Sequence, residues 1–447
     1  VADKAIKYLI IGNSAGGIGA AEAIREVDAA GTMTIVSDEP YPVYSRPLIS
    51  NYLADPGPVA KYRYRPTDFY ERNNITALLG EKVERLDPKA HTVRLSGGRT
   101  LTWEKLLLAT GGTPIVPPME GIGLKGVFTF NKLDEARAID TFLKSRRGPV
   151  RAVVIGGGLI GVSCTEALLR RDVIVTIVEM KDMILNTILD EEASSLEADA
   201  LTQAGVRIIT GHTATAIESR LAGEVSGVTL DDGRAFPAAM VIVAIGVRPR
   251  LDALEGSDIE VNRGIVVDSR MATSVPDIYA CGDCAEAYDF VIKGKRLTPI
   301  WPNAYNGGRV AGLNMAGRDE EYPGGTAMNA MKYFGLHIVS AGFPAAPDES
   351  YETLINKDNG NYKKVIIKDG RIAGLVFAGD IEKSGIIYNL MKDGVDVSDF
   401  KEALVSADFG LANIPEAAWR DRLPSLPKEA ELLPTGAEAP EELPIGD

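Results

Sequence analysis

Glycines and carboxylates are the residues of this chain best placed to do chemistry. Gly156-Gly157-Gly158-Leu159-Ile160-Gly161 matches the pattern G-x-G-x-x-G without substitution. In that pattern the first glycine makes a tight turn, the second lets a pyrophosphate approach backbone N–H groups, and the third lets a helix pack close to the preceding strand. Glu179 ends the next apolar run, VTIVEM. A carboxylate there accepts from both adenosine ribose hydroxyls and repels a 2′-phosphate, which favours NAD(H) over NADP(H); Lys181, two residues on, tempers that preference. An earlier turn, Gly12-Asn13-Ser14-Ala15-Gly16-Gly17, has Ser14 in place of the second glycine. Pyrophosphate charge still meets backbone N–H groups at the start of a helix beginning near Gly16. Asp38 or Glu39 is placed to accept from ribose hydroxyls. Ser37 stands where the acid is often found, so the choice between the two stays open.

Each turn needs a strand before it and a helix after it, and the chain supplies both twice. Tyr8 to Ala23 (YLIIGNSAGGIGAAEA) recurs as Ala152 to Ala167 (AVVIGGGLIGVSCTEA), and each is followed by a second apolar strand ending in acid. Two βαβ units are expected. KLLLATGGTP (Lys105 to Pro114) and MVIVAIGVRP (Met240 to Pro249) supply a further strand to each. DIYACGDCAE (Asp277 to Glu286) and then WPNAYNGGRVAGLNMAG (Trp301 to Gly317) read as a strand with its turn and as a loop followed by a helix. The texture changes near Gly325, and Asp369-Gly370 predicts a hairpin within Tyr362 to Asp380. Beyond Ser406 the chain is Pro-rich and acidic, which predicts an extended or disordered segment rather than a packed one.

Composition narrows the partners. A chain of 447 residues exceeds one ordinary core, so two to four domains are expected. Apolar content of 45% and charged content of 25% suit a globular protein. A net charge of −14 argues against nucleic acid or an anionic membrane surface, both of which call for clustered Lys and Arg. No apolar run reaches the roughly 20 residues that span a bilayer, and VADKAIKYLIIG shows no signal-peptide cleavage pattern. With only three cysteines, a cytoplasmic location is the expectation.

Four motifs stand in order: the N-terminal turn, Ala109-Thr110-Gly111, the intact central turn, and Ala280 to Asp283. On these the segment from Lys7 to about Asp380 resembles the two-dinucleotide-binding-domain flavoproteins, the pyridine nucleotide-disulfide oxidoreductase superfamily. The resemblance implies an α/β fold with two Rossmann-like domains: an FAD domain (1–117 and 248–325) split by an inserted NAD(H) domain (118–247). A C-terminal mixed α/β interface domain (326–405) and an acidic extension (406–447) follow.

The resemblance also implies sites. FAD, bound tightly but not covalently, falls to Gly12, Ser14, Ala15, Gly16 and Gly17, with Asp38, Glu39 and Val83, and to Ala109, Thr110 and Gly111. Gly282 and Asp283 join them, Asp283 on the ribityl chain. The helix after Trp301, Pro302 and Asn303 aims its positive end at the flavin pyrimidine, where reduced flavin carries negative charge. NAD(H) falls to Gly156, Gly158, Leu159, Ile160, Gly161 and Glu179, with Ala244, Ile245 and Gly246.

YPVYSRPLISNYL (Tyr41 to Leu53) is similar to the Y-x-R-P-x-L-S-K stretch of ferredoxin-, rubredoxin- and putidaredoxin-type reductases and of nitrite-reductase-like NADH flavoproteins. It brings Ser45, Arg46, Pro47 and Asn51 to FAD, with Arg46 near its phosphates or ribose. Asn51 stands where those relatives have lysine, and Ser163 stands where many have the glutamate that pairs with it. Losing both together avoids a buried unpaired charge.

In the disulfide reductases, peroxidases and NADH oxidases of the superfamily a redox cysteine lies in the N-terminal region, whereas here none precedes Cys164. Cys281-x-x-Cys284 coincides with the flavin-binding segment and is read as structural. His91, His212 and His337 stand apart in sequence, so no metal site is expected. The flavin and nicotinamide then carry the chemistry, with no catalytic side chain.

Three functions compete. The first is an NADH:acceptor oxidoreductase, either alone with a rubredoxin- or ferredoxin-like protein or as the flavin subunit of an iron-sulfur complex. The second is an NADH oxidase, and the third a non-catalytic flavoprotein whose reduction controls assembly. The C-terminal domain is expected to make a homodimer or to dock another subunit. The tail with Trp419 is expected to fold onto a partner.

Overall fold

Near-continuous apolar runs of Val, Ile and Leu, interrupted by glycine turns, build parallel strands buried on both faces. The computed structural model describes residues 5–220 and 223–416. In a seven-stranded sheet, Ile6–Ile11 lies between Met33–Ser37 and Thr100–Leu108, parallel to both. Ile75–Leu79 extends one side, while Thr92–Leu95 and Val83–Asp87 turn antiparallel on the other. Ile278–Ala280 returns from far along the chain to pair with Thr100–Leu108. The order reverses at Ile6–Ile11, and such a switch point opens a crevice at the strands' carboxyl ends.

The second sheet repeats this design. Val150–Ile155 lies between Val173–Glu179 and Met240–Val243, with Arg207–Thr210 and Val127–Thr129 at the edges, all parallel. A short antiparallel pair, Gly112–Pro114 with Val247–Pro249, links the two sheets. Ala214–Ser219, Val225–Leu230 and Ala235–Pro237 form a small antiparallel sheet beside the second. The C-terminal part is a five-stranded antiparallel sheet ordered Met328–Tyr333, Leu336–Gly342, Arg371–Ala378, Asn361–Lys368 and Glu352–Asp358, with the helix Ser384–Lys392 packed on it.

Two helices fix the first turn. Ala15–Val27 crosses Trp301–Met315 at backbone contact. A Cβ on Gly308 would lie 2.0 Å from the Gly16 carbonyl oxygen, and one on Gly312 would lie 2.4 Å from that of Ala20. A spacing of four puts both glycines on one helix face.

Two details differ from the sequence reading. Trp301, Pro302 and Asn303 are not a loop before the helix: they are its first turn, where proline's missing N–H has no bond to lose. The packed chain also runs past Ser406, with Phe409 and Ile414 buried in the C-terminal core. Trp419 and the rest of the tail lie outside the described residues. No helix among the described residues is long and apolar enough to cross a membrane.

Candidate dinucleotide cavity

The two glycine turns have matching geometry. Gly12 donates to the Val36 carbonyl (2.9 Å) and Gly156 to that of Val178 (2.8 Å), each capping the neighbouring strand. Gly12 has φ of 124° and Gly156 of 108°. A Cβ on Gly12 would lie 2.1 Å from the Ala109 carbonyl oxygen, and one on Gly156 would lie 2.4 Å from that of Ala244. The third glycines are equally tight, since a Cβ on Gly17 or Gly161 would lie 2.0 Å from the first glycine's oxygen. The second position is different. Gly158 has φ of −80°, and a Cβ there meets nothing within 4 Å. Ser14, with φ of −129°, is therefore tolerated: its side chain faces ligand space rather than protein.

Three helices begin at one cavity of about 620 Å³, whose wall includes Ala15, Leu159 and Trp301. None of the three has an acid in its first turn, whereas Leu133–Lys144 and Glu191–Gln203 each have two. Exposed N–H groups and positive dipole ends thus face the cavity uncompensated, which suits phosphates and reduced flavin.

The acids after Met33–Ser37 have separate partners. Glu39 is buried and accepts from Arg46 and from the Tyr44 hydroxyl, both at 2.6 Å. Arg46 also donates to the Asn131 carbonyl at 3.1 Å. Asp38 accepts from Lys132 and Arg250 through one oxygen, each at 2.8 Å. Burial alone would push the Asp38 carboxyl up, but those two cations outweigh it and hold it below its ordinary value. Its other oxygen takes no hydrogen bond from the described residues, so Asp38 has the freer acceptor for a ribose.

Asp283 lines the cavity within a short 3-10 turn. Burial pushes its carboxyl up against the pull of Arg46, and its own backbone N–H is its hydrogen-bond donor. A desolvated carboxyl facing open volume fits a hydroxyl-rich chain such as ribityl, so these residues fit FAD. When bound, FAD takes a hydride as a two-electron unit and gives up electrons singly. The chain's own residues would bind and orient it: helix ends and Arg46 would hold anionic groups and Asp38 and Asp283 would accept from hydroxyls, while Leu159 and Ile160 form part of the cavity wall toward the second turn.

Of the residues assigned to FAD, Gly12, Ser14, Ala15, Gly16, Asp38, Glu39, Arg46, Pro47, Val83, Ala109, Thr110, Gly111, Gly282, Asp283, Trp301 and Pro302 line this cavity. Gly17 packs behind the turn. Asn303 turns away and donates to the Thr326 carbonyl (3.0 Å), and Ser45 lies outside the lining. Asn51 lines a neighbouring pocket of about 440 Å³ instead, because its short helix buries Ile49, Tyr52 and Leu53.

Of the NAD(H) set, Leu159 and Ile160 line the main cavity. Gly156, Gly158, Gly161, Glu179 and Ala244 to Gly246 gather beyond it, at the ends of three adjacent strands and their turns. Glu179 is already oriented, accepting from the N–H groups of Gly157 (2.7 Å) and Lys181 (2.8 Å). The cavity residues Lys132, Arg250, Met331 and Tyr333 escaped the sequence reading, since no local pattern marks them.

Cys281 and Cys284 are free and buried, and burial pushes both thiols up, so neither is a thiolate at neutral pH. His212 does not stand apart. It lies 2.9 Å from Asp231 and 3.5 Å from Asp232, close enough together to hold a metal ion, although Asp232 is also paired with Arg234 at 2.5 Å.

Two Rossmann-like sheets meeting at one cavity define an oxidoreductase with two dinucleotide sites. Residues 6–308 match the family model "Pyridine nucleotide-disulphide oxidoreductase", and the chain belongs to that family. Residues 328–395 match "Rubredoxin NAD+ reductase C-terminal domain". The chain is 31% identical over 94% of its length to the whole of the NADH-dependent phenylglyoxylate dehydrogenase subunit epsilon of Aromatoleum evansii. It is 29% identical over 88% of its length to the nitrite reductase [NAD(P)H] of Bacillus subtilis, of which it spans only 48%. The crystal structure of NADH:rubredoxin oxidoreductase from Clostridium acetobutylicum superposes with a TM-score of 0.72, at 26% identity, over 88% of this chain and 96% of that one. The protein is thus an NAD(P)H-dependent flavoprotein oxidoreductase, using FAD and NADH.

Proposed function

We propose that this chain takes hydride from NADH onto FAD and hands electrons to an iron-sulfur or rubredoxin-like protein, as the flavin subunit of a larger complex. The observation that carries this is the single cavity joining both turns with no thiolate in it. A flavin with no internal thiol acceptor must deliver outward. Likeness to the whole of a dehydrogenase's epsilon subunit supports the subunit reading, and the rubredoxin-reductase C-terminal domain supports the class of acceptor.

In this reading Asp38 holds the FAD ribose, Arg46 the phosphates, Asp283 the ribityl chain, and Glu179 the NADH ribose. The division into an FAD domain (1–117 and 248–325) around an NAD(H) domain (118–247), with an interface domain from 326, belongs to it too. Pairing of Ile278–Ala280 with Thr100–Leu108 supports that split. Three buried, free cysteines favour a cytoplasmic location.

The test is stopped-flow spectroscopy of the FAD-loaded protein. Rapid anaerobic bleaching by NADH, fast reoxidation by a reducible rubredoxin or ferredoxin, and slow reoxidation by air are expected. Fast reoxidation by air would make it an oxidase, and absence of bleaching a non-catalytic flavoprotein.

A further inference from the structure

The cavity wall holds one group of charges assembled from distant parts of the chain. Asp38 follows the strand Met33–Ser37, the place where a βαβ unit presents an acid to a ribose. Lys132 and Arg250 reach it from 94 and 212 positions away, and both donate to the same oxygen, Oδ2, at 2.8 Å. All three side chains line the cavity and are mostly buried, with exposures of 29% for Asp38, 20% for Lys132 and 19% for Arg250.

One cation is enough to neutralise Asp38, and the second leaves the trio positive. Taking a cation out of water is costly unless it gains partners. Among the described residues Asp38 is the only acceptor that the terminal nitrogens of Lys132 and Arg250 meet, so most of their N–H groups are left without a protein partner in the cavity wall. The backbones beneath them are fixed. Arg250 donates its N–H to the Gly111 carbonyl (2.9 Å), and its own carbonyl accepts from the Thr110 hydroxyl (2.8 Å). The Lys132 N–H donates to Glu135 (3.0 Å). Asn131, beside it, donates from its side chain to the Gly112 carbonyl (3.3 Å) and accepts at its own carbonyl from Arg46 (3.1 Å). Donors held in place before a ligand arrives lose little freedom on binding it.

We propose that Lys132 and Arg250 bind the adenosine ribose of FAD together with Asp38. The proposal rests on the reading that this ribose lies at Asp38. Two neighbouring hydroxyls each offer a proton and an oxygen. The open oxygen of Asp38 accepts the protons, and the two cations donate to the hydroxyl oxygens, which an ionised carboxylate cannot do. Their surplus positive charge also favours the diphosphate next to that ribose. Lys132 is the N-cap of the helix Leu133–Lys144, which follows the edge strand Val127–Thr129 of the second sheet, so the unit that takes NAD(H) completes the FAD site.

The test measures binding of FAD, and of FAD made with 2′-deoxyadenosine or 3′-deoxyadenosine, to the full chain freed of flavin, by fluorescence quenching. The proteins are wild type, Lys132→Met, Arg250→Met and Lys132→Arg. Lys132→Met and Arg250→Met each leave Asp38 paired with the other cation, so no bare carboxylate is buried, and a melting scan checks each fold. Wild type should bind at least one deoxy form about tenfold more weakly than FAD, the effect of one lost hydrogen bond. Lys132→Met and Arg250→Met should each bind FAD roughly tenfold more weakly, and should lose less than about threefold more with that deoxy form, because the contact is already gone. Lys132→Arg should keep most of the wild-type affinity. FAD affinity unchanged in both Lys132→Met and Arg250→Met, or a deoxy penalty as large in both as in wild type, overturns the proposal. Wild-type protein that binds FAD with no penalty for either deoxy form overturns the reading of Asp38 beneath it.

Discussion

Replacing Arg46 by methionine separates binding of FAD from holding the fold. Arg46 is 2.6 Å from Glu39, with side-chain exposures of 30% and 9%. Removing the cation leaves Glu39 buried with the Tyr44 hydroxyl as its remaining partner. Breaking a fully buried pair costs about 3–5 kcal/mol and an exposed one about 0–1, so this half-buried pair should cost about 2–3 kcal/mol. Arg46 also lowers Asp283; without it, burial drives that carboxyl further up and weakens it as an acceptor. Loss of one charge-assisted hydrogen bond to FAD, about 1.5–3 kcal/mol, should weaken binding roughly 10- to 100-fold.

The assay is a double-mutant cycle of Arg46→Met with Glu39→Gln, reading apoprotein melting temperature and FAD affinity by fluorescence quenching. The double variant should regain most of the stability lost by Arg46→Met, because no unpaired charge remains. It should regain little FAD affinity. FAD affinity unchanged in Arg46→Met, or fully restored in the double variant, would refute the placement of Arg46 at the cofactor.

Three further outcomes are expected. Glu179→Ala should lower kcat/KM for NADH about tenfold, the effect of roughly 1.4 kcal/mol of lost ribose binding, and raise it for NADPH; parallel losses for both would remove Glu179 from the selectivity site. Gly308→Val should loosen FAD and lower the melting temperature, since even its Cβ would lie 2.0 Å from the Gly16 carbonyl oxygen; unchanged FAD affinity would contradict the crossing as the turn's support. Glu197 titrates near 4.5 when unfolded and near 8 when folded, so between those values only the unfolded chain releases the proton, and stability falls as pH rises. About 2.5 kcal/mol should be lost between pH 5 and pH 7, or roughly 2–4 °C for a chain of 447 residues, and Glu197→Gln should lack that part of the slope in thermal scans.

Legibility in the sequence follows how local each determinant is. The glycine turns were legible because each first glycine answers to the carbonyl just past a neighbouring strand and each third glycine to the first glycine's own oxygen, and the structure gives both turns the same contacts. Asp369-Gly370 was legible for a similar reason, with φ of 49° and 72° matching the hairpin that the dipeptide favours. Asn51 was placed by alignment to a motif, yet Ile49, Tyr52 and Leu53 claim the buried face of its short helix and turn it toward the second pocket. The pairing of Asp38 with Lys132 and Arg250 joins residues 94 and 212 positions apart, and no local pattern announces it. Glu197 reads as one acid on an ordinary amphipathic helix until Glu166 and Tyr333, from two other elements, are set beside it.

Anaerobic titration of the FAD-loaded protein with NADH, followed by mixing with oxidised rubredoxin or ferredoxin, tests the central claim most directly. Full bleaching at equimolar NADH and prompt return of the oxidised spectrum on adding the redox protein, with air reacting far more slowly, is the predicted result. No bleaching, or return of the spectrum with air as fast as with the redox protein, would contradict a flavin that receives hydride across this cavity and delivers electrons outside the chain.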